Sequence, residues 1–396
     1  MRAALFLTAA LIAAPAAYAQ SNTQYQSGDA TAVTEVEIGE AEHAAATAVA
    51  SGNVVSVEAD DAFATMHNDQ HMDGDATATA DATVWHANGN VAASSAAVGN
   101  GGTAELSNSD VEIDSTQLAH GDSRAVTRFT GGDAENAATS ASASGNVAAV
   151  SAEYSALRVL ADQESTRSVS ALVEADHCCI AGQVASGAIA SANNMSIGGE
   201  TSTILGDVRQ TATGDSVSAR VDLYAGYAYD ASGNATANAN SVAIDNQWGY
   251  VNARIDQSAS SNVSADSYVT LGGDFVGFGS AGAYGVGNQA IVSNVGSDTV
   301  MDVAQSNAGD ISANAALSGT GGDALASSAA YGNSVTGSLC GFCDTNVPSL
   351  YAYNNQTNSG DVSSTARVIA PYANTAAASA TAIGNAATYQ VTGPGN

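Results

Sequence analysis

Apolar and polar residues alternate with a period of two along most of this chain, as in Ala-Thr-Ala-Val-Thr-Glu-Val-Glu-Ile (30–38), Ser-Val-Ser-Ala-Arg-Val-Asp-Leu-Tyr (216–224) and Ala-Ser-Ala-Thr-Ala-Ile (378–383). That period predicts β-strands with one face buried. Breaks such as Gly131-Gly132-Asp133, Gly272-Gly273-Asp274 and Gly321-Gly322-Asp323 interrupt the runs near the middle of a longer unit. The chain must turn there, so each unit reads as two strand-turn-strand halves. Two coils per unit is the favoured expectation, giving a rod of about 75 Å, against about 38 Å for one wide coil per unit. Alanine also favours helices, but the spacing of two and the frequent Gly, Ser, Thr, Asn and Asp argue against a helical solenoid.

The unit itself is marked by two series. Gln recurs at Gln24, Gln70, Gln117, Gln163, Gln210, Gln257, Gln305 and Gln356, with spacings of 46, 47, 46, 47, 47, 48 and 51. Six of these are followed four residues later by Gly-Asp, and only Gln163 and Gln257 are not. An Asn closes the Ala-rich run in every unit: Asn53, Asn100, Asn146, Asn193, Asn240, Asn288, Asn333 and Asn385. Two independent series with one period define a repeat protein of eight units. The predicted fold is therefore an all-β solenoid, with residues 1–19 as a signal peptide and 20–396 as a single repeat domain.

Stacking would place Gln above Gln and Asn above Asn at about 4.8 Å, where each amide donates to one neighbour and accepts from the other. All sixteen residues are accordingly read as structural ladders rather than ligand contacts. Gly before Asn and before Asp is expected at corners that need positive φ.

Composition narrows the alternatives. Large apolar residues are few, with two Trp and six Phe, so an ordinary globular core cannot be built and a thin, small-residue core remains. Met1-Arg2, an apolar run to Ala14 and Ala17-Tyr18-Ala19 form the pattern of a cleavable export signal. No later stretch has the roughly 20 apolar residues of a spanning helix, so no direct membrane span is expected. All nine bases are Arg, and without Arg2 the chain sets 39 acids against 8 bases, a charge of −31. A nucleic-acid partner is thereby excluded, and self-association is opposed in solution. Open strand edges at the two ends still leave self-association possible on a nucleator or at high calcium.

Little chemistry stands out. His67 and His71 accompany Asp69, Asp73 and Asp75, but a spacing of four on a strand parts the rings by about 13 Å, so no metal ligands are assigned. The Gly-Gly-Asp triplets lack the tandem pattern of calcium-binding rolls, and no cofactor is expected. Carboxylates are not grouped by register as a polysaccharide-cleaving enzyme requires, and no nucleophile elbow is present, so no catalytic residue is assigned and the protein is read as a non-enzyme. Cys178-Cys179 and Cys340/Cys343 sit at different offsets; a local disulfide between Cys340 and Cys343 is expected in an exported chain, with cross-linking between chains as the alternative.

The Gln and Asn at fixed offsets in Gly-, Ala- and Ser-rich repeats resemble the logic of curlin fibres, whose units are about half as long. In overall character, an acidic, lysine-free, exported chain of eight doubled units, residues 20–396 resemble the holdfast attachment protein D family of stalked alphaproteobacteria. The resemblance implies a cell-surface, outer-membrane-associated protein that anchors an adhesive polysaccharide holdfast to the envelope. It also implies partners: the polysaccharide adhesin and other anchor proteins, namely a curlin-like protein and a lipoprotein export pore. The alternatives are a secreted matrix or surface-layer scaffold, one that would respond to calcium, and a polysaccharide-degrading β-helix.

Overall fold

The computed structural model describes residues 18–272, 277–319, 321–341 and 348–393. Period-two patterning becomes strand throughout: twenty-four strands follow one another in threes, with no helix among the described residues. The first coil consists of Tyr18–Gln26, Ala30–Ala41 and Ala44–Asp60. The last consists of Leu350–Asn358, Val362–Ile369 and Thr375–Thr392. Each strand pairs in parallel with its counterpart one coil away, which builds three eight-stranded sheets, here the first, second and third in chain order. The chain is an all-β solenoid.

Each unit makes one coil, not the two favoured from the sequence. Gly-Gly-Asp at mid-unit marks the corner between the second and third sheets: Gly131 and Gly132 close the strand Ser123–Ala134. The Asn residue does not end a strand. It lies inside the long third-sheet strand, where the alternation changes phase. In Asn136–Glu153, Ala137, Thr139, Ala141 and Ala143 face inward before the change, and Asn146, Val150 and Ala152 after it. The pairing with the next coil skips Gly145 and resumes at Asn146–Asn193. One extra residue thus bends the strand and lets its two halves face two different sheets. Eight coils at the strand spacing give a stack of about 38 Å.

The bend divides the interior. Between the second sheet and the first half of the third lies a core rich in Ala, including Ala78, Ala125, Ala171, Ala219 and Ala265. Side chains this small bring the two walls close together. Between the first sheet and the second half of the third lies a bulkier core of Ile197, Ile204, Ile244, Ile255 and Met301. Large side chains make up more of this second core, while Phe129, Ile180, Leu223 and Ile311 fill gaps in the first.

The corners differ from expectation. Glycines of the Gly-Asp corners that follow each Gln do not carry positive φ; among described glycines only Gly296, Gly319, Gly321 and Gly322 do, the last two in the Gly321-Gly322-Asp323 break. At Gly121 the requirement is close approach, since a Cβ there would overlap the carbonyl oxygen of Gly74. Asp at these corners accepts from the main chain of the next coil: the N–H of Asp75 donates to Asp29 Oδ1 at 3.0 Å, and that of Asp122 to Asp75 Oδ1 at 2.8 Å. Left-handed backbone falls instead at the corner after the third sheet, at Asp61, Asn108, Tyr154, Thr201 and Trp248.

Candidate functional site

All eight Gln residues project inward from the first sheet, and all eight Asn residues from the bend of the third, so the two series meet at the waist between the lobes. Gln117 Nε2 donates to Gln70 Oε1 at 2.8 Å and Gln163 Nε2 to Gln117 Oε1 at 2.7 Å, and the same bond joins Gln70 to Gln24 and continues through Gln210, Gln257, Gln305 and Gln356. Asn53, Asn100, Asn146, Asn193, Asn240, Asn288, Asn333 and Asn385 are joined likewise, but each Nδ2 donates toward the C-terminal coil, as from Asn146 to Asn193 at 2.8 Å. The Gln row points toward the N-terminal end and the Asn row toward the C-terminal end. Their dipoles therefore oppose one another, and the stack accumulates no net dipole from its amides.

Every amide of the two rows but that of Asn385 also donates an N–H across the waist. Gln70 donates to the carbonyl of Gly101, which follows Asn100, and Asn100 donates to the carbonyl of Leu118, which follows Gln117. Buried amides with every partner supplied cost little, whereas an unpartnered one costs about 1–3 kcal/mol. These sixteen residues occupy the interior, away from any ligand-accessible surface except at the terminal coils.

Surface chemistry is divided between the faces. The outward rows of the third sheet before its bend, such as Ala45, Ala92, Ala138, Ala185 and Thr47, Ser94, Ser140, Gly187, carry no charge. Charges gather after that bend, as acids at Glu58, Asp60, Glu105, Glu153 and Glu200, and on the other two sheets, where Arg residues alternate with acids along the stack. Arg128 bridges Asp81 at 3.3 Å and Glu174 at 2.9 Å; Arg158 meets Glu112 at 3.0 Å.

A surface cleft of about 490 Å³ opens on the outer face of the second sheet. One row supplies Arg128, Glu174, Asp222 and Tyr268, and the adjacent row Thr130, Asp176, Tyr224 and Thr270. Tyr224 is 43% exposed and Tyr268 37%. Arg220 grips Asp222 through two bonds of 2.7 and 3.1 Å and lies 5.2 Å from the centre of the Tyr268 ring. Partial burial, then the charge of Asp266, push the Tyr268 phenol up, so it stays protonated and able to donate. Two ring faces, hydroxyls and carboxylates in one open groove suit a hydroxyl-rich ligand; the excess of acids repels a polyanion. Sequence reading missed this grouping, because its members lie on four strands and only the coil register aligns them.

His67 and His71 do not converge. His67 contacts Asp69 at 3.0 Å and Asp114 at 3.2 Å. His71 instead meets Asp73 and, from the next coil, His120. The hydroxyl of Tyr25 donates to Asp73 Oδ2, and that bond, followed by the two imidazoles acting against partial desolvation, holds the Asp73 carboxyl below its usual range. Cys340 ends the strand Asp323–Cys340, and Cys343 lies outside the described residues. Cys178 and Cys179 are disulfide-bonded to one another. No helix among the described residues is long and apolar enough to cross a membrane.

A family model described as holdfast attachment protein D matches residues 39–310. No curated protein and no solved structure matches.

Proposed function

The chain belongs to the holdfast attachment protein D family, and from that premise we propose that it is an exported structural protein which anchors an adhesive polysaccharide to the outer envelope. The observation that carries the reading is the second-sheet cleft. Tyr224 and Tyr268 offer aromatic faces to the C–H faces of sugar rings, while Glu174, Asp176 and Asp222 accept from hydroxyl or amine groups. The bound polymer is neutral or amine-bearing, since a chain of net charge −30 repels an acidic one. Residues 1–19 direct export and are removed, and the repeat domain acts at the cell surface beside other anchor proteins. Both open ends of the stack remain able to receive a second copy, because the amide rows continue in register only when copies meet head to tail.

The test is made on cells. The chromosomal copy is replaced by a Tyr224→Ala/Tyr268→Ala variant, and the adhesive polysaccharide is imaged with a fluorescent lectin under flow. Polysaccharide made but shed is the expected result; retention equal to the parent strain overturns the assignment of the cleft.

A polysaccharide-cleaving β-helix is the second reading, and the grouping of Glu174, Asp176 and Asp222 in one cleft favours it. Against it, Glu174 and Asp222 are each tied to an Arg, whereas glycoside hydrolysis needs one carboxyl held protonated. Release of reducing ends from purified polysaccharide, abolished by Glu174→Gln, would establish the enzyme.

A further inference from the structure

The corner between the first and second sheets brings three metal-ligating atoms together from two coils. His71 Nε2 lies 2.8 Å from Asp73 Oδ1 and 2.9 Å from His120 Nδ1, and His120 Nδ1 lies 3.4 Å from the same carboxylate oxygen. The three atoms form a closed triangle, half-exposed at the surface.

A triangle of this kind cannot be satisfied by protons. With Asp73 ionised, each ring nitrogen either donates or accepts. If both donate, the two N–H groups oppose one another across the His71–His120 edge. If one accepts, its lone pair faces the carboxylate. Every arrangement leaves one edge mismatched. A cation at the centre converts all three lone pairs into ligands at once.

We propose that His71, Asp73 and His120 form a site for a divalent transition metal of the zinc class. Two imidazoles and one carboxylate are a zinc donor set, and bonds of about 2.0–2.1 Å place tetrahedral ligands about 3.3 Å apart, near the observed edges. Imidazole nitrogen favours zinc, copper or nickel over calcium and magnesium, which take oxygen. Tyr25 supplies the outer support: its hydroxyl holds Asp73 Oδ2, which leaves Oδ1 turned toward the rings. His71 and His120 pack edge to face with centroids 4.7 Å apart, so both rings are already oriented. Solvent fills the fourth position. Because His71 and Asp73 belong to the second coil and His120 to the third, the ion staples neighbouring coils, and Tyr25 extends its support to the first. The site is separate from the polysaccharide cleft, at a corner rather than on the outer face of the second sheet.

Isothermal titration of the purified chain with zinc chloride tests it. The expected result is saturable binding of one ion per chain, weakened at least tenfold in His71→Ala and in His120→Ala and unchanged in His86→Ala, with calcium chloride failing to compete. Cobalt supplies a second readout, an absorption band of a four-coordinate ion that disappears in the same two variants. Binding that is unsaturable, or that is unaffected by His71→Ala and His120→Ala, overturns the proposal. If a variant fails to fold, the conservative His120→Gln is titrated in its place, and parent-like affinity there overturns it equally.

Discussion

Gln117 and Asn146 clasp the waist of the third coil: Gln117 Nε2 donates to the carbonyl of Val147, the residue after Asn146, at 3.1 Å. Asn146 passes the pattern on by donating to the carbonyl of Glu164, the residue after Gln163, at 2.7 Å. Amide after amide, the polar seam therefore follows the chain's own path up the stack and separates an alanine core from a bulkier one.

Replacing Asn146 by Leu removes the acceptor of Asn100 and the donor to both Glu164 and Asn193, in a site with 0% exposure. A loss of about 3–5 kcal/mol is expected from three unpartnered groups. Asn385→Leu, in the exposed last coil, is expected to cost under about 1 kcal/mol. Urea unfolding of both variants checks the contrast; equal midpoints would refute a structural role for the inner row.

Thr201 holds a φ of 52°, while Asn108 holds 47° at the equivalent corner two coils below. A β-branched residue is strained in this region and Asn tolerates it. Thr201→Asn is expected to raise stability by about 1 kcal/mol. A melting temperature unchanged or lowered contradicts that.

His177 is buried against Phe129, with ring centroids 4.8 Å apart, and neither ring nitrogen has a protein hydrogen-bond partner. Burial pushes its pKa down to about 4. Unfolded His titrates near 6.5. Above that value both states are neutral and stability is full; between pH 6.5 and 4 the unfolded chain binds the proton and stability falls by up to about 3 kcal/mol. His177→Leu is expected to flatten the loss over this window, as read by melting at pH 7 and pH 4.5.

Arg128 stands between two exposed acids, with 47% of its own side chain exposed. Arg128→Gln is expected to cost under about 1 kcal/mol at low salt, and the difference should vanish near molar salt, where screening reaches about 3 Å. Thermal melts across a salt series read this directly.

The repeat, its strand content and the two amide series were legible because each copy presents the same residue at the same step of a period-two pattern. One coil per unit was not. A bend inside a strand looks in sequence like the end of a strand, since Gly145-Asn146 carries the residues of a turn while the chain continues extended through Val150. The cleft was hidden for a related reason: Glu174, Asp222 and Tyr268 stand in adjacent coils and become neighbours only once the coil length is known. His71 and His120 were parted in the same way, by 49 residues that amount to one coil and a corner.

Three parallel sheets place every hydrogen bond between coils along the axis of the stack, while the covalent chain runs around it. A pull along the axis must part all three sheets at one junction together, and a pull from one face to another is carried through peptide bonds inside each coil. A load applied from face to face is thus carried by covalent bonds within each coil, and a load applied along the stack by the hydrogen bonds between coils.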